Sequence, residues 1–570
     1  MDKQWIVREV GDIEKVNHLV EVLSVDIVTA NLLAHRGIST YEEAKSFFRP
    51  DLNNLHDPFL MKDMDLAIAR IKQAISRNEK IMIYGDYDVD GTTAVALLIS
   101  FFRKHYDRLI YYIPDRYNEG YGVSYKGIDF AGENDVSLII ALDCGIKAVE
   151  KVAYANEKKI DFIICDHHTP GDVLPPAVAV LNPKRSDCYY PYKDLSGCGV
   201  GFKLIHAYCL ENQIELTEIY EYLDLVSVSI ASDIVPITGE NRTISYFGLE
   251  KLNKDPILGL RAIINVAGCD DSIMEINDVV FKIGPRINAA GRIETGRTAV
   301  DLLITEDEVR AMEIAAEINS INNERKELDH NITEEALSMI ENSEEMLNRK
   351  STVLFNPNWH KGVIGIVASR VIEKYYRPSI ILTENNGLLT GSARSVHDFD
   401  LYKAVDACSE YLEGFGGHMY AAGLTMKKEN LEAFSAKFEE FVSKNIRVDQ
   451  LCPVINVDAE IKLSDITPKF YRLLEQFQPF GPENMRPVFA SHGVRDSGES
   501  RAVGKEHEHL KLDITDETGG KHYSGIAFRM GNEIARVRNA TAGFSVCYTI
   551  DENVFNGRVN LQLMVKDLKF

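Results

Sequence analysis

The sequence predicts an α/β protein: a parallel-sheet domain, then a long connecting helix, a second α/β domain and a small C-terminal β-barrel. Three patterns predict it. Continuous apolar runs alternate with helical stretches over residues 81–181, one helix-period stripe covers residues 305–349, and short alternating strands follow Pro453. At 570 residues the chain has room for three or four domains of about 150 residues each.

The first 55 residues read as a helical lead-in, with Ser39-Thr40-Tyr41-Glu42-Glu43 as a helix start. Five apolar segments follow: Ile81-Met82-Ile83-Tyr84, Leu109-Ile110-Tyr111-Tyr112-Ile113, Ser137-Leu138-Ile139-Ile140-Ala141-Leu142, Phe162-Ile163-Ile164 and Ala177-Val178-Ala179-Val180-Leu181. Helical stretches at 92–104 and 147–157 separate several of them, the pattern of parallel strands buried on both faces. In the 305–349 stretch Thr305 with Glu308 forms a capping box, and Val309, Met312, Ile314, Ile318, Ile321, Leu328, Ile332, Ala336 and Met339 keep one stripe. It predicts one long helix or two in series. A second α/β region begins at Thr352-Val353-Leu354-Phe355, and runs such as Leu510-Lys511-Leu512-Asp513-Ile514 and Asn560-Leu561-Gln562-Leu563-Met564-Val565 suit a β-barrel.

Composition excludes several classes. No apolar run approaches the ~18 residues of a membrane span, and the first residues do not read as a signal peptide. Nine cysteines, with no Cys-x-x-Cys pair, argue against a disulfide framework and a zinc ribbon and read as reduced thiols in a cytoplasmic protein. The net charge of −23 describes solubility and far field, not one groove. Carboxylates that hold divalent cations would present no free negative charge to a phosphate.

The chemistry concentrates at strand ends. Ligands of an open parallel sheet bind beyond the carboxyl ends of its strands. There the sequence places Gly85-Asp86-Tyr87-Asp88-Val89-Asp90-Gly91, Asp143-Cys144-Gly145 and Asp166-His167-His168, while Asp233 ends the apolar stretch from Leu225. An Asp after a strand is often only a helix N-cap. A calcium loop is ruled out, since position twelve from Asp86 is Leu97 rather than glutamate. So many acids with one or two imidazoles on one edge require cations among them, and such oxygen-rich sets suit Mn²⁺ or Mg²⁺ better than zinc. There are ligands enough for two ions about 4 Å apart, the arrangement that cleaves phosphate esters.

These four motifs, the last being Ala231-Ser232-Asp233-Ile234-Val235-Pro236, resemble those of the DHH phosphoesterase superfamily. Downstream, Gly284-Pro285-Arg286-Ile287-Asn288-Ala289-Ala290-Gly291-Arg292, Trp359-His360-Lys361-Gly362, Gly391-Ser392-Ala393-Arg394-Ser395 and Phe415-Gly416-Gly417-His418 resemble its bacterial single-strand DNA exonucleases. Pro479-Phe480-Gly481-Pro482-Glu483-Asn484 and the β region after it are similar to their OB-fold domain. The resemblance implies a DHH catalytic domain over 56–304, a connecting helix over 305–349, a DHHA1-type domain over 350–447 and an OB-fold over 448–570. It implies 5′-to-3′ release of mononucleotides from single-stranded DNA with Mn²⁺ or Mg²⁺, in repair and recombination. A single-strand-binding protein and a RecQ-type helicase are the implied partners, and no membrane is involved.

By the same resemblance Asp88, Asp90, Asp143, His167 and Asp233 are metal ligands. Asp86 is a further ligand or positions its neighbours, and His168 lies near the scissile phosphate or orients another group. Asp143 and His168 carry the catalytic expectation. Arg116, Ser392 and Arg394 match a 5′-phosphate pocket, with surface solvation or a salt bridge as the bland alternative. Arg286 and Arg292 would track phosphates or tie domains together. His418 would approach the site from the second domain or only cap a turn. In the β-domain Lys+Arg and Asp+Glu balance at about a dozen each from residue 481 onward, and Phe528-Arg529 and Phe555-Asn556-Gly557-Arg558 interleave aromatic with basic groups. Two rival readings remain: another phosphodiesterase of the superfamily, acting on short RNA or cyclic dinucleotides, and a non-catalytic scaffold at the replication fork.

Overall fold

The structure, a computed structural model, describes residues 3–570 apart from 117, 271, 294–295, 517–518 and 556–557, with backbone alone at 292–293, 554–555 and 558. Two compact units emerge. One comprises Gly11–Asn322 with Leu474–Arg486, the other Met1–Val10, Asn323–Leu473 and Pro487–Phe570.

The first unit is built on a five-stranded parallel sheet. Its spatial order is Leu109–Tyr112, Lys80–Gly85, Val136–Leu142, Asp161–Cys165, Ala179–Leu181. Alternation divides the apolar runs between two faces. Ile81, Ile83, Leu138 and Ile140 join the core beneath the helices Val89–Phe102 and Gly197–Asn212. Met82, Tyr84, Ile139 and Ala141 meet Ile128, Ala131, Val152 and Ala155 of the helices Tyr125–Glu133 and Val149–Glu157. Burial on both faces explains why these strands read as unbroken apolar runs. A further buried helix, Leu223–Ser232, lies against Gly239–Lys254. They cross closely at Gly248, where a Cβ would stand 2.3 Å from the Leu223 carbonyl oxygen.

In the other unit the strands Leu412–His418, Ala421–Met426, Leu388–Arg394, Ser379–Asn385 and Thr352–Phe355 form one sheet in that order. Phe434, Phe438 and Val442 of the helix Leu431–Asn445 cover it. A second sheet runs Phe489–Asp496, Phe544–Phe555, Arg558–Lys569, Tyr523–Ala527, His509–Thr515 and returns to Phe489–Asp496, closing a five-stranded barrel. Closure removes the exposed edges that an open sheet would leave.

Three expectations change. The lead-in is not wholly helical: Gln4–Val7 is a strand paired in parallel with Val454–Val457, and the Trp5 indole N–H donates to Asp567 (2.7 Å). Pro479 to Asn484, expected with the barrel, sits instead in the first unit. There the Ile237 N–H donates to the Pro482 carbonyl (2.8 Å), Arg36 donates to Asn484 (2.7 Å) and Arg242 to the Gln478 carbonyl (2.7 Å). The connecting stretch is two helices, Glu308–Glu341 and Glu344–Asn348. Asp307 rather than Thr305 starts the first, its carboxylate accepting from Val309 and Arg310 N–H, because an Asp one residue before the helix outcompetes the more distant hydroxyl. Ile314 and Ile318 join the core of the first unit, while Ile332, Ala336 and Ile340 join that of the second. No helix of the described residues is long and apolar enough to cross a membrane. All nine cysteines are unpaired.

Candidate metal centre

The parallel sheet delivers its acids where the sequence placed them, at the carboxyl edge. Asp86, fully buried, follows the Lys80–Gly85 strand. One of its oxygens accepts from Gly122 N–H (3.2 Å) and the other has no hydrogen-bond partner. Burial, then the neighbouring Asp88, pushes its carboxyl up to about 7. Asp88 is the N-cap of the helix Val89–Phe102, accepting from Gly91 N–H (3.0 Å). The capping alternative is therefore real, yet its carboxyl is also raised by burial and by Asp90, as befits a member of an acid cluster.

Asp90 is held from three sides. The N–H groups of Gly197 and Cys198 donate to it (2.7 Å each), and so does the Ser229 hydroxyl (2.6 Å). Its donors are thus the first amides of one buried helix and a side chain of another. Asp143 sits in left-handed backbone, φ +57°, a region that Asp tolerates better than most residues. Its N–H donates to the Cys165 carbonyl (2.9 Å) and its Oδ1 is buried without a hydrogen bond. Only a glycine fits opposite: a Cβ at Gly197 would lie 2.5 Å from the Asp143 Cβ. Burial, then Asp90, Asp88 and Asp233, raises the Asp143 carboxyl well above its ordinary range.

His167 is the hub. Its Nε2 lies 3.2 Å from Asp143 Oδ1, 3.5 Å from Asp233 Oδ2 and 3.7 Å from Asp90 Oδ2, and neither ring nitrogen makes a hydrogen bond. Burial lowers its pKa, favouring the neutral ring that binds metals. Asp233 stands at the C-cap of Leu223–Ser232, its carboxyl raised by burial and by Asp90 and Asp88. Two ligand sets result, Asp143 with His167 and His168, and Asp90 with His167 and Asp233, the ligand atoms of each within 4.8 Å of one another. Buried oxygens and nitrogens left without partners, next to acids that repel one another, fit a divalent cation. Asp86 and Asp88 stand outside both sets.

Asp166 does a different job. It accepts from the N–H groups of Ile146 (2.9 Å), His167 (2.7 Å) and His168 (3.1 Å) and from His168 Nδ1 (2.7 Å). Burial alone would lower the His168 pKa, but the bond to Asp166 carries it upward. Tyr121 OH lies 3.1 Å from His168 Nε2 and donates to the Asp143 carbonyl (3.2 Å). The sequence does not reveal the roles of Asp166, Tyr121 and Ser229. The one signal was the Ser196-Gly197-Cys198-Gly199 helix start, whose cap Ser196 in turn bonds Ser229 (2.7 Å).

The substrate candidates fall into distinct settings. The Arg116 guanidinium rests 4.8 Å above the Tyr87 ring, beside the acid loop. Arg286 is buried and bonded to Asn319 (3.0 Å) and the Lys282 carbonyl (2.6 Å), bonds that suit the structural tie of the two roles expected for it. The side chain of Arg292 lies outside the described residues. In the other unit Arg394 donates to Ser392 (3.1 Å) and the Ala393 carbonyl (2.8 Å), and has no carboxylate partner among the described residues. Burial lowers its pKa. Gly365 lies against both, a Cβ there meeting Arg394 and Ser392 at 3.0 Å. His418 is exposed at a hairpin tip, its Nδ1 accepting from Tyr420 N–H (3.3 Å).

Comparison with known proteins agrees with this layout. The DHH family N-terminal domain matches residues 80–230, the DHHA1 domain 348–444 and the RecJ OB domain 457–567. The single-stranded-DNA-specific exonuclease RecJ of Bacillus subtilis (strain 168) is 38% identical over 559 residues, covering 98% of this chain and 70% of the relative. This chain belongs to the RecJ family. Dickeya dadantii RecJ is 31% identical, with 96% of both chains covered. The crystal structure of Thermus thermophilus RecJ in complex with Mn²⁺ superposes with a TM-score of 0.84 at 26% identity, covering 100% of this chain and 79% of that one. The RecJ fold thus accounts for the parallel sheet, the second α/β domain and the closed barrel alike.

Proposed function

We propose that this RecJ-family chain is a 5′-to-3′ exonuclease that releases mononucleotides from single-stranded DNA with Mn²⁺ or Mg²⁺, in DNA repair and recombination. The observation that carries the reading is His167 shared between two acid sets, Asp90 with Asp233 and Asp143 with His168. Asp90, Asp143, His167 and Asp233 would hold the ions together with the adjoining Asp88, Asp86 serving as a further ligand or a support, while His168, its Nδ1 taken by Asp166, stands beside them. When bound, the cations would lower the pKa of a water and draw charge from the phosphate oxygens. Asp166 fixes the His168 ring by its Nδ1, which leaves Nε2 to face the phosphate and Tyr121. There it donates a hydrogen bond or a proton. Arg116, beside the acid loop, and Ser392 with the desolvated Arg394 are each suited to a terminal phosphate, because a guanidinium donates to phosphate oxygens through a planar fork.

The barrel supports a polymer substrate over a dinucleotide. It carries a cleft of about 800 Å³ lined by Tyr471, Arg472, Lys511, Lys521, His522 and Tyr523. The Lys521 ammonium lies 4.8 Å from the Tyr523 ring. Cations interleaved with aromatic faces are how OB folds hold single strands. In this reading the cleft, rather than Phe528, supplies the stacking surface; the side chains of Phe555 and Arg558 lie outside the described residues. The catalytic domain over 56–304 borrows residues 474–486 from within the 448–570 region. A cytoplasmic location, and partnership with a single-strand-binding protein and a RecQ-type helicase, follow from the family resemblance.

The test is digestion of 5′- and 3′-labelled single-stranded and duplex DNA with Mn²⁺, by the unaltered chain and by Asp143→Ala. Mononucleotides should leave the 5′ end of single strands only, and the substitution should abolish the reaction. Equal digestion from the 3′ end, or full activity in the variant, would sink the proposal.

A further inference from the structure

Beyond His168 the catalytic unit holds a cavity of about 220 Å³, walled by Tyr121, Ile146, Lys147, Lys151, Asp166 and His168. Sheet order fixes its place. The loops leaving the carboxyl edge carry, strand by strand, Arg116, then Asp86 to Asp90, then Asp143 to Lys147, then Asp166 to His168. The strand before Lys147 is two positions from the strand before Arg116, about 10 Å at ~4.8 Å per strand, with the Asp86 to Asp90 loop between them and Asp143 on the same loop as Lys147. Lys147 therefore leaves the edge from the loop that carries Asp143, across the Asp86 to Asp90 loop from the strand before Arg116.

Lys147 is exposed and Lys151 half-buried. Among the described residues neither has a carboxylate partner, although the chain holds 86 acids to 63 bases. The exposed Tyr121 ring meets His168 edge-on at 5.7 Å and gives the cavity an apolar wall. Two unpaired ammonium groups and an aromatic wall match the chemistry of a nucleotide, with charge for its phosphate and a face for its sugar or base.

We propose that this cavity is a nucleotide subsite in which Lys147 and Lys151 grip the backbone phosphate on the 3′ side of the scissile one. It rests on the 5′-end reading above: with the terminal phosphate at Arg116 and the scissile phosphate over the acids, the next phosphate reaches the lysine pair. The pair offsets the repulsion that the carboxylates exert on the strand leaving them, and so holds the next linkage in register.

The experiment compares the full chain with its Lys147→Ala/Lys151→Ala variant by fluorescence-anisotropy competition in Mn²⁺. The competitors are 5′-phosphorylated di- and tetrathymidylate with an uncleavable 3′-methylenephosphonate at the first linkage. Only the tetranucleotide owns the phosphate in question. The variant should bind it about tenfold more weakly, with the salt slope reduced by about 0.7, the share of one single-strand phosphate. It should bind the dinucleotide unchanged, and Lys147→Arg/Lys151→Arg should restore the difference. Equal loss on both ligands, or loss on neither, overturns the seat. Failure of the unaltered chain to release mononucleotides from the 5′ end refutes the 5′-end reading instead.

Discussion

Asp90 and Asp143 are neighbours held by opposite means. Both oxygens of Asp90 are occupied by donors, two amides and the Ser229 hydroxyl, while Asp143 keeps Oδ1 bare. Groups that bond a ligating carboxylate aim it and tune its basicity. Ser229→Ala should therefore keep the fold yet weaken Mn²⁺ binding by about tenfold or more, measured by titration calorimetry; unaltered affinity would show that the two amides suffice. Gly197→Ala should do greater damage, because its Cβ would collide with the Asp143 Cβ at 2.5 Å and with its Cα at 2.8 Å. Lost Mn²⁺ affinity with a lowered Tm is the expected result. The acids themselves were legible, since each follows an apolar strand or segment. Their supports were not, because amide donors have no signature of their own and Ser229 lies 139 residues from Asp90. Arg286 stayed open between a phosphate contact and a tie for a related reason: its partners Asn319 and Lys282 are seen only in the fold.

Among the elements, Leu223–Ser232 matters most, since it carries Ser229 and ends at Asp233. It can lie against Gly239–Lys254 only because Gly248 has no side chain: a Cβ would come within 2.5 Å of the Ser227 Cβ. Gly248→Ala should cost about 1–3 kcal/mol by overpacking and should also loosen the metal site, seen as a lower urea midpoint together with weaker Mn²⁺ binding. A stability loss with intact Mn²⁺ affinity would mean that the helix shifts without moving Asp233. The strand Gln4–Val7 offers a second test. Removing residues 3–8 should strip amide-exchange protection from Val454–Val457, its parallel partner. The five sheet strands could be read from their apolar runs, whereas Gln4–Val7 could not: four residues give no period, and their partner lies at the other end of the sequence. Nor does composition distinguish residues 474–486 from the barrel around them. Their place is set by Ile237, Arg36 and Arg242, far away in the chain.

For the molecule as a whole, a net charge of −23 includes the buried acids of the metal site, where cations would relieve it. Without metal, Asp86 stays protonated up to about 7, whereas an unfolded Asp titrates near 3.9. Between those values the folded chain holds a proton that the unfolded chain lacks, so its stability falls as pH rises through that window. Cations held by the adjoining Asp90, Asp143 and Asp233 would favour the ionised form of Asp86 and reverse the loss. In EDTA, Tm should drop from about pH 5 to about pH 8, and the rise on adding Mn²⁺ should be larger at the upper value; an equal rise at both would place the titrating carboxyls outside the site. The pairing of Gln4 with Val454 has one more effect, on the timing of synthesis. Ribosomes add about 5–20 residues per second, so the first strand waits roughly 20 to 90 seconds for its partner to emerge. Through that interval residues 4–7 lack the partner that satisfies their backbone in the folded chain.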